Sequence, residues 1–130
     1  DNLISKVFEA VQAGATQFPI LGGTQTRAPL YIDDAVDAFL MAAESIHALN
    51  SSTINIGGSE ELTVAEIAEC VVQCIDSSMA IIREDSMRET DVMRSYVDLT
   101  EAKDLLGWSP NILFADGLAA CRSGLLKSTV

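Results

Sequence analysis

Apolar residues recur along this chain with two alternating periods, and the alternation sets the order of its elements. Leu3, Ile4, Val7, Phe8 and Val11 share one helical face and Gly14 follows as a stop, which predicts a helix over 3–13. Residues 18–21 form a short apolar run closed by Gly22-Gly23, the pattern of a strand entering a tight turn. Residues 30–32 read as a brief strand. After them, Asp33 and Asp34 offer the cap and first-turn negative charge of a helix whose stripe is Val36, Phe39, Leu40 and Ala43. Residues 53–56 have strand character and end at Gly57-Gly58, where the backbone is expected to bend sharply or approach something closely.

The clearest local signal is Thr63-Val64-Ala65-Glu66, a capping box in which threonine and glutamate satisfy each other's orphan amides. Val64, Ile67, Ala68, Val71, Val72 and Ile75 then hold helical period up to Asp76. A strand over 79–82, an exposed polar loop over 83–94 and a last strand at 96–97 are expected next. Residues 98–100 open a short helix that Gly107 ends, with Trp108 as an anchoring aromatic and Pro110 preventing continuation; a final helix covers about 114–127. The class is α/β, with strands too few and too short for a full doubly wound sheet.

Composition narrows the partners. At 130 residues there is room for one domain, and a hydrophobic fraction of 48% comes with no run near the ~20 residues that span a bilayer. No membrane span is expected, and with no signal-peptide pattern at the start a cytoplasmic location is. The chain opens at Asp1 on a helical pattern already under way, which suggests that the natural polypeptide begins upstream.

Net charge is −11, from 19 acids and 8 bases, so the mean field repels nucleic acid and anionic membranes. A phosphate-bearing ligand would have to be held by a few local cations, which singles out Arg27, Arg83, Arg88, Arg94 and Arg122. Cys70 and Cys74, one helical turn apart, and Cys121 read as reduced thiols; His47 has no cysteine or histidine neighbour, and no metal site is expected. The carboxylates of Asp33, Asp34 and Asp37 are assigned to capping and solvation.

Several segments, in order and with spacing kept, resemble the C-terminal half of the extended short-chain dehydrogenase/reductase family, which includes NAD-dependent nucleotide-sugar epimerases and dehydratases. They are Asn2-Leu3-Ile4; Pro19 through Gly23 with the Gln25-Thr26-Arg27 triplet; Tyr31-Ile32-Asp33-Asp34; Asn55-Ile56-Gly57-Gly58; Arg88-Glu89-Thr90-Asp91-Val92; and Leu106-Gly107-Trp108-Ser109-Pro110. The resemblance covers nearly the whole chain. It implies the C-terminal substrate-binding portion of an extended Rossmann-type enzyme, short strands alternating with helices, without the N-terminal dinucleotide-binding sheet.

The same resemblance implies a nucleoside-diphosphate sugar as partner. Arg27 and Arg88 would grip the diphosphate with Asn2 assisting, and the strand at Pro19 and Leu21 would lie along the base. NAD(P) would be held mainly by an absent N-terminal half, as no glycine-rich strand-turn-helix and no Tyr-x-x-x-Lys occurs here. The chain alone is therefore expected to bind and not to turn over. Residues 30–57 are expected to pack on the missing Rossmann domain, leaving Val36, Phe39 and Leu40 under-buried, and the whole enzyme could form a homodimer.

The sequence departs from the family pattern at Ala28-Pro29, where relatives carry Asp-Phe, and at Glu89-Thr90, where they carry Pro-Gly. Two alternatives stay open: a family reductase or dehydrogenase acting on a non-sugar substrate, and a non-catalytic interaction module.

Overall fold

A computed structural model describes residues 2–47, 49, 52–75, 77–86 and 90–127, with side chains up to residue 122. Helix α1 (Leu3–Gln12) starts where Asn2 leaves extended backbone and its side-chain oxygen accepts the Ser5 amide at 2.9 Å, satisfying a first-turn donor. Strand β1 (Gln17–Leu21) follows and ends at Gly22 and Gly23, whose φ angles of 66° and 85° are left-handed and favour glycine. The remaining elements are β2 (Thr26–Arg27), α2 (Ile32–Glu44), β3 (Leu62–Thr63), α3 (Val64–Cys74), β4 (Ala80–Glu84), a π-helical turn at Ala102–Leu106, and α4 (Phe114–Lys127).

Two small ladders organise the chain. β1 and β4 pair in parallel from Gln17 opposite Ala80 to Leu21 opposite Glu84, a pairing that needs a crossover, which α3 supplies. β2 and β3 pair antiparallel, Thr26 opposite Thr63, and Arg94 adds a parallel bridge to Thr26.

The capping box forms as the sequence predicts. The Glu66 amide donates to the Thr63 hydroxyl oxygen at 3.1 Å and the Thr63 amide donates to the Glu66 carboxylate at 2.7 Å. These bonds hold the Glu66 carboxyl below the usual range, the backbone bond from Thr63 contributing most. Helix α3 buries Ala65, Ile67, Ala68, Val71 and Val72, of which Ala68, Val71 and Val72 join Val7 and Phe8 of α1, Leu118 of α4, and Met79 in the main core. Each side chain of valine size or larger withdrawn here contributes about 1.5–3 kcal/mol.

A second cluster joins Ala38 of α2 to Ala102, Leu106 and Trp108. Gly107, with φ 68°, ends the π turn, and the Trp108 amide reaches back to the Ala102 carbonyl at 3.2 Å. The buried Trp108 indole donates to the Asp34 carbonyl at 3.0 Å. The close approach expected at Gly57-Gly58 is real, for a Cβ on Gly58 would sit on the Pro29 carbonyl oxygen.

Three expected strands do not form. Ile32 is already the first residue of α2, with Tyr31 at its N-cap, so 30–32 enter a helix. Residues 53–56 and 96–97 have strand composition, yet among the described residues no ladder partner lies beside them, and extended backbone without a partner is not a strand. Asp34 also departs from its expected solvation role. Only 2% exposed, its carboxylate accepts the Asn111 and Ile112 amides at 3.1 and 2.9 Å and ties the start of α2 to the segment before α4. Asp33 and Asp37 are exposed. The outward stripe of α2 is bare: Phe39 is 71% exposed, and Val36 and Leu40 are exposed beside it.

Candidate functional site

The turn after β1 is fixed by one buried side chain. Gln25, 4% exposed, accepts the Gly23 amide on Oε1 at 2.8 Å and donates from Nε2 to the Leu21 carbonyl at 3.2 Å and to Asp91 Oδ2 at 3.0 Å. It therefore pins the 91–95 segment against the end of β1. Backbone bonds continue the attachment, from the Thr26 amide to the Met93 carbonyl at 2.8 Å and from the Ser95 amide to the Thr26 carbonyl at 3.1 Å.

Arg27 is oriented by the same segment. Its Nη1 donates to the Thr26 carbonyl at 2.7 Å and to the Val92 carbonyl at 2.8 Å, so two acceptors fix the plane of the guanidinium. Arg94 is spent differently, in a fork to Glu61 with Nε–Oε1 and Nη2–Oε2 both at 2.7 Å. Glu61 also accepts the Thr26 hydroxyl at 2.6 Å. The Arg94 bond, then the Thr26 bond, lowers the Glu61 carboxyl from its ordinary value near 4.5 to about 2. Tyr96 lies under the Arg94 guanidinium, 5.7 Å from its carbon to the ring centroid.

Gln25, Arg27 and Asp91 border a cleft of about 300 Å3 that runs between β1 and α1. Pro19, Leu21, Gln25, Arg27 and Asp91 line it from the strand side and Leu3 and Lys6 from the helix. Three sequence-predicted site residues, Pro19, Leu21 and Arg27, thus meet in one place. Arg88 lies outside the described residues. Asn2 caps α1 and borders a second cleft of about 280 Å3 with Tyr31, Phe114 and Cys121. That second cleft is the more apolar, and among the described residues no charged side chain lines it, which leaves an anion without a counter-charge from them. Desolvation first, and then Cys121, hold the Tyr31 phenol above its ordinary value.

Lys6 carries no role in the sequence reading, Gln25 enters it only within the Gln25-Thr26-Arg27 triplet, and Arg94 only as one of five candidate cations. Lys6 was within reach of it, since it follows Leu3 by three residues and so shares that helix face. Arg94 gave no local signal, because its partner is 33 residues away.

The glycine turn does not fit a dinucleotide pyrophosphate. The Gly22 amide is committed to the Glu84 carbonyl at 2.8 Å and the Gly23 amide to Gln25, and the turn leads to a strand, not to a helix N-terminus. Among the described residues no three His, Cys, Asp or Glu side chains group to hold a metal, and no helix is long and apolar enough to cross a membrane.

Residues 1–121 match the sequence signature of the GDP-mannose 4,6 dehydratase family. The chain belongs to that family. UDP-glucuronic acid decarboxylase 5 of Arabidopsis thaliana is 35% identical over 96 residues, covering 74% of this chain and 27% of that protein. UDP-glucose 4-epimerase of Mycolicibacterium smegmatis is 31% identical over 111 residues, 85% of this chain and 34% of that protein. The solved UDP-glucuronic acid 4-epimerase from Bacillus cereus, in complex with UDP-glucuronic acid and NAD, superimposes with a TM-score of 0.85 at 26% identity, over 98% of this chain and 40% of that one.

As a GDP-mannose 4,6 dehydratase family member, the chain is an extended short-chain dehydrogenase/reductase of the nucleotide-sugar epimerase and dehydratase group. Its α/β fold is that of the matching part of Rossmann-type epimerases and dehydratases. It spans only 27% and 34% of the two curated relatives.

Proposed function

We propose that this chain forms the nucleotide-sugar-binding part of an NAD-dependent epimerase or dehydratase. In this reading the β1 cleft holds the nucleoside diphosphate, and residues outside this sequence carry hydride and proton transfer. One observation supports it above the others: Arg27, its guanidinium held by two carbonyls, lines the same cleft as Pro19 and Leu21. A preset guanidinium loses little freedom on binding and offers forked donors to a phosphate. Holding the nucleotide, remote from the reacting sugar carbons, is how binding energy orients the sugar. Arg88 belongs to the same reading as a second phosphate contact.

The bare stripe of α2, at Val36, Phe39 and Leu40, is the surface on which the dinucleotide-binding domain of the whole enzyme would pack. The Gly22-Gly23 turn takes no part in holding NAD.

Calorimetry with UDP tests the reading. Arg27→Ala is expected to weaken binding by roughly tenfold or more, the loss of a charge-assisted contact of about 1.5–3 kcal/mol, and Arg27→Lys to recover only part of it. Equal affinity in all three proteins would contradict the assignment.

A further inference from the structure

Among the described residues two cations, not one, line the β1 cleft. Lys6 stands on α1 across from Arg27 on β2, and Asp91, the single carboxylate among the described lining residues, is already engaged by the Gln25 amide. Lys6 is exposed and pairs with none of the described carboxylates. The cleft lining therefore carries an excess of positive charge in a chain whose net charge is −11. On so acidic a surface, a lysine without a counter-ion among the described residues, at the mouth of a groove, concentrates anions there.

We propose that Lys6 is a further anion contact of this cleft, reaching the ligand's diphosphate from the side opposite Arg27. The inference rests on the nucleotide-binding reading of the same cleft. The two side chains differ in what they supply. Arg27 is locked by the Thr26 and Val92 carbonyls and sets direction. Lys6, on a flexible stem, presents a compact charge with three rotatable donors and can follow the phosphates as they settle. The helix places it without strain, since Lys6 lies one turn after Asn2 and three residues after Leu3, which lines the same cleft. Leu3 and Lys6 together make the α1 wall, one apolar and one charged, facing a strand wall of the same mixed character.

Calorimetry with the 130-residue chain, using UDP and uridine as probes, decides the matter. Lys6→Gln is expected to weaken UDP binding by roughly tenfold, to leave any uridine binding unchanged, and to be rescued by Lys6→Arg. Lys6 is exposed, so these variants should keep the circular dichroism and Trp108 fluorescence of the parent. If Arg27→Ala weakens UDP binding and Lys6→Gln does not, the Lys6 contact is wrong and the nucleotide reading stands. If neither variant changes UDP affinity, or the parent binds no UDP, both are wrong. An equal loss for UDP and uridine would also overturn the proposal, because it would place Lys6 on the nucleoside.

Discussion

Glu61 and Arg94, 33 residues apart, meet in a two-pronged ion pair with both N–O distances at 2.7 Å. The pair ties the 91–95 segment to β3, and that segment in turn orients Arg27. With its pKa lowered to about 2, Glu61 adds a small, solvent-screened stabilisation at any pH above its ordinary value near 4.5, and this contribution is lost as pH falls towards 2. The stability difference between the parent and Glu61→Gln should be present at about pH 5.5 and shrink towards about pH 2, read by urea unfolding. Arg94→Ala should speed amide hydrogen exchange at Ser95 while leaving the global transition nearly in place, since the pair is a surface one.

Asp34 makes a stronger demand. Replacing it with alanine leaves the Asn111 and Ile112 amides without their acceptor in a partly buried setting, an expected cost of about 2–4 kcal/mol. Asp34→Asn keeps one acceptor oxygen and should fall between alanine and the parent. Denaturant titrations followed by Trp108 fluorescence measure both.

The N-terminus of α3 should respond to a single hydroxyl. Thr63→Ala removes the acceptor for the Glu66 amide and is expected to destabilise the chain by about 1 kcal/mol, with Thr63→Ser close to the parent in thermal unfolding.

The capping box and Gly107 were legible in the sequence because each acts within a few residues of its partner; Trp108 was legible as an anchoring aromatic, but its anchor, the Asp34 carbonyl, lies 74 residues away. Strand propensity at 53–56 and 96–97 was also legible, but a ladder depends on a neighbour that local composition does not report. Asp34 looked like a surface cap because its real partners, Asn111 and Ile112, are 77 and 78 residues away. At the candidate site, motif spacing brought Pro19, Leu21 and Arg27 to one cleft; the parts that fix them, Gln25 to Asp91 and Arg94 to Glu61, are long-range contacts between ordinary polar residues.

Phe39 separates packing within this chain from packing on the rest of an enzyme. Since it is 71% exposed, Phe39→Ser should change the stability of the 130-residue chain by no more than about 0.5 kcal/mol and reduce its self-association, read by thermal unfolding and light scattering. A large loss of stability would show that the α2 face is already packed.

The central claim is that the cleft between β1 and α1 holds a nucleoside diphosphate. Mapping UDP onto the amide resonances of the labelled chain tests it most directly. The expected shifts fall at Leu21, Arg27 and Val92 and vanish in Arg27→Ala. Shifts confined to Tyr31 and Gly117 in the apolar cleft, or no shifts at saturating UDP, would contradict it.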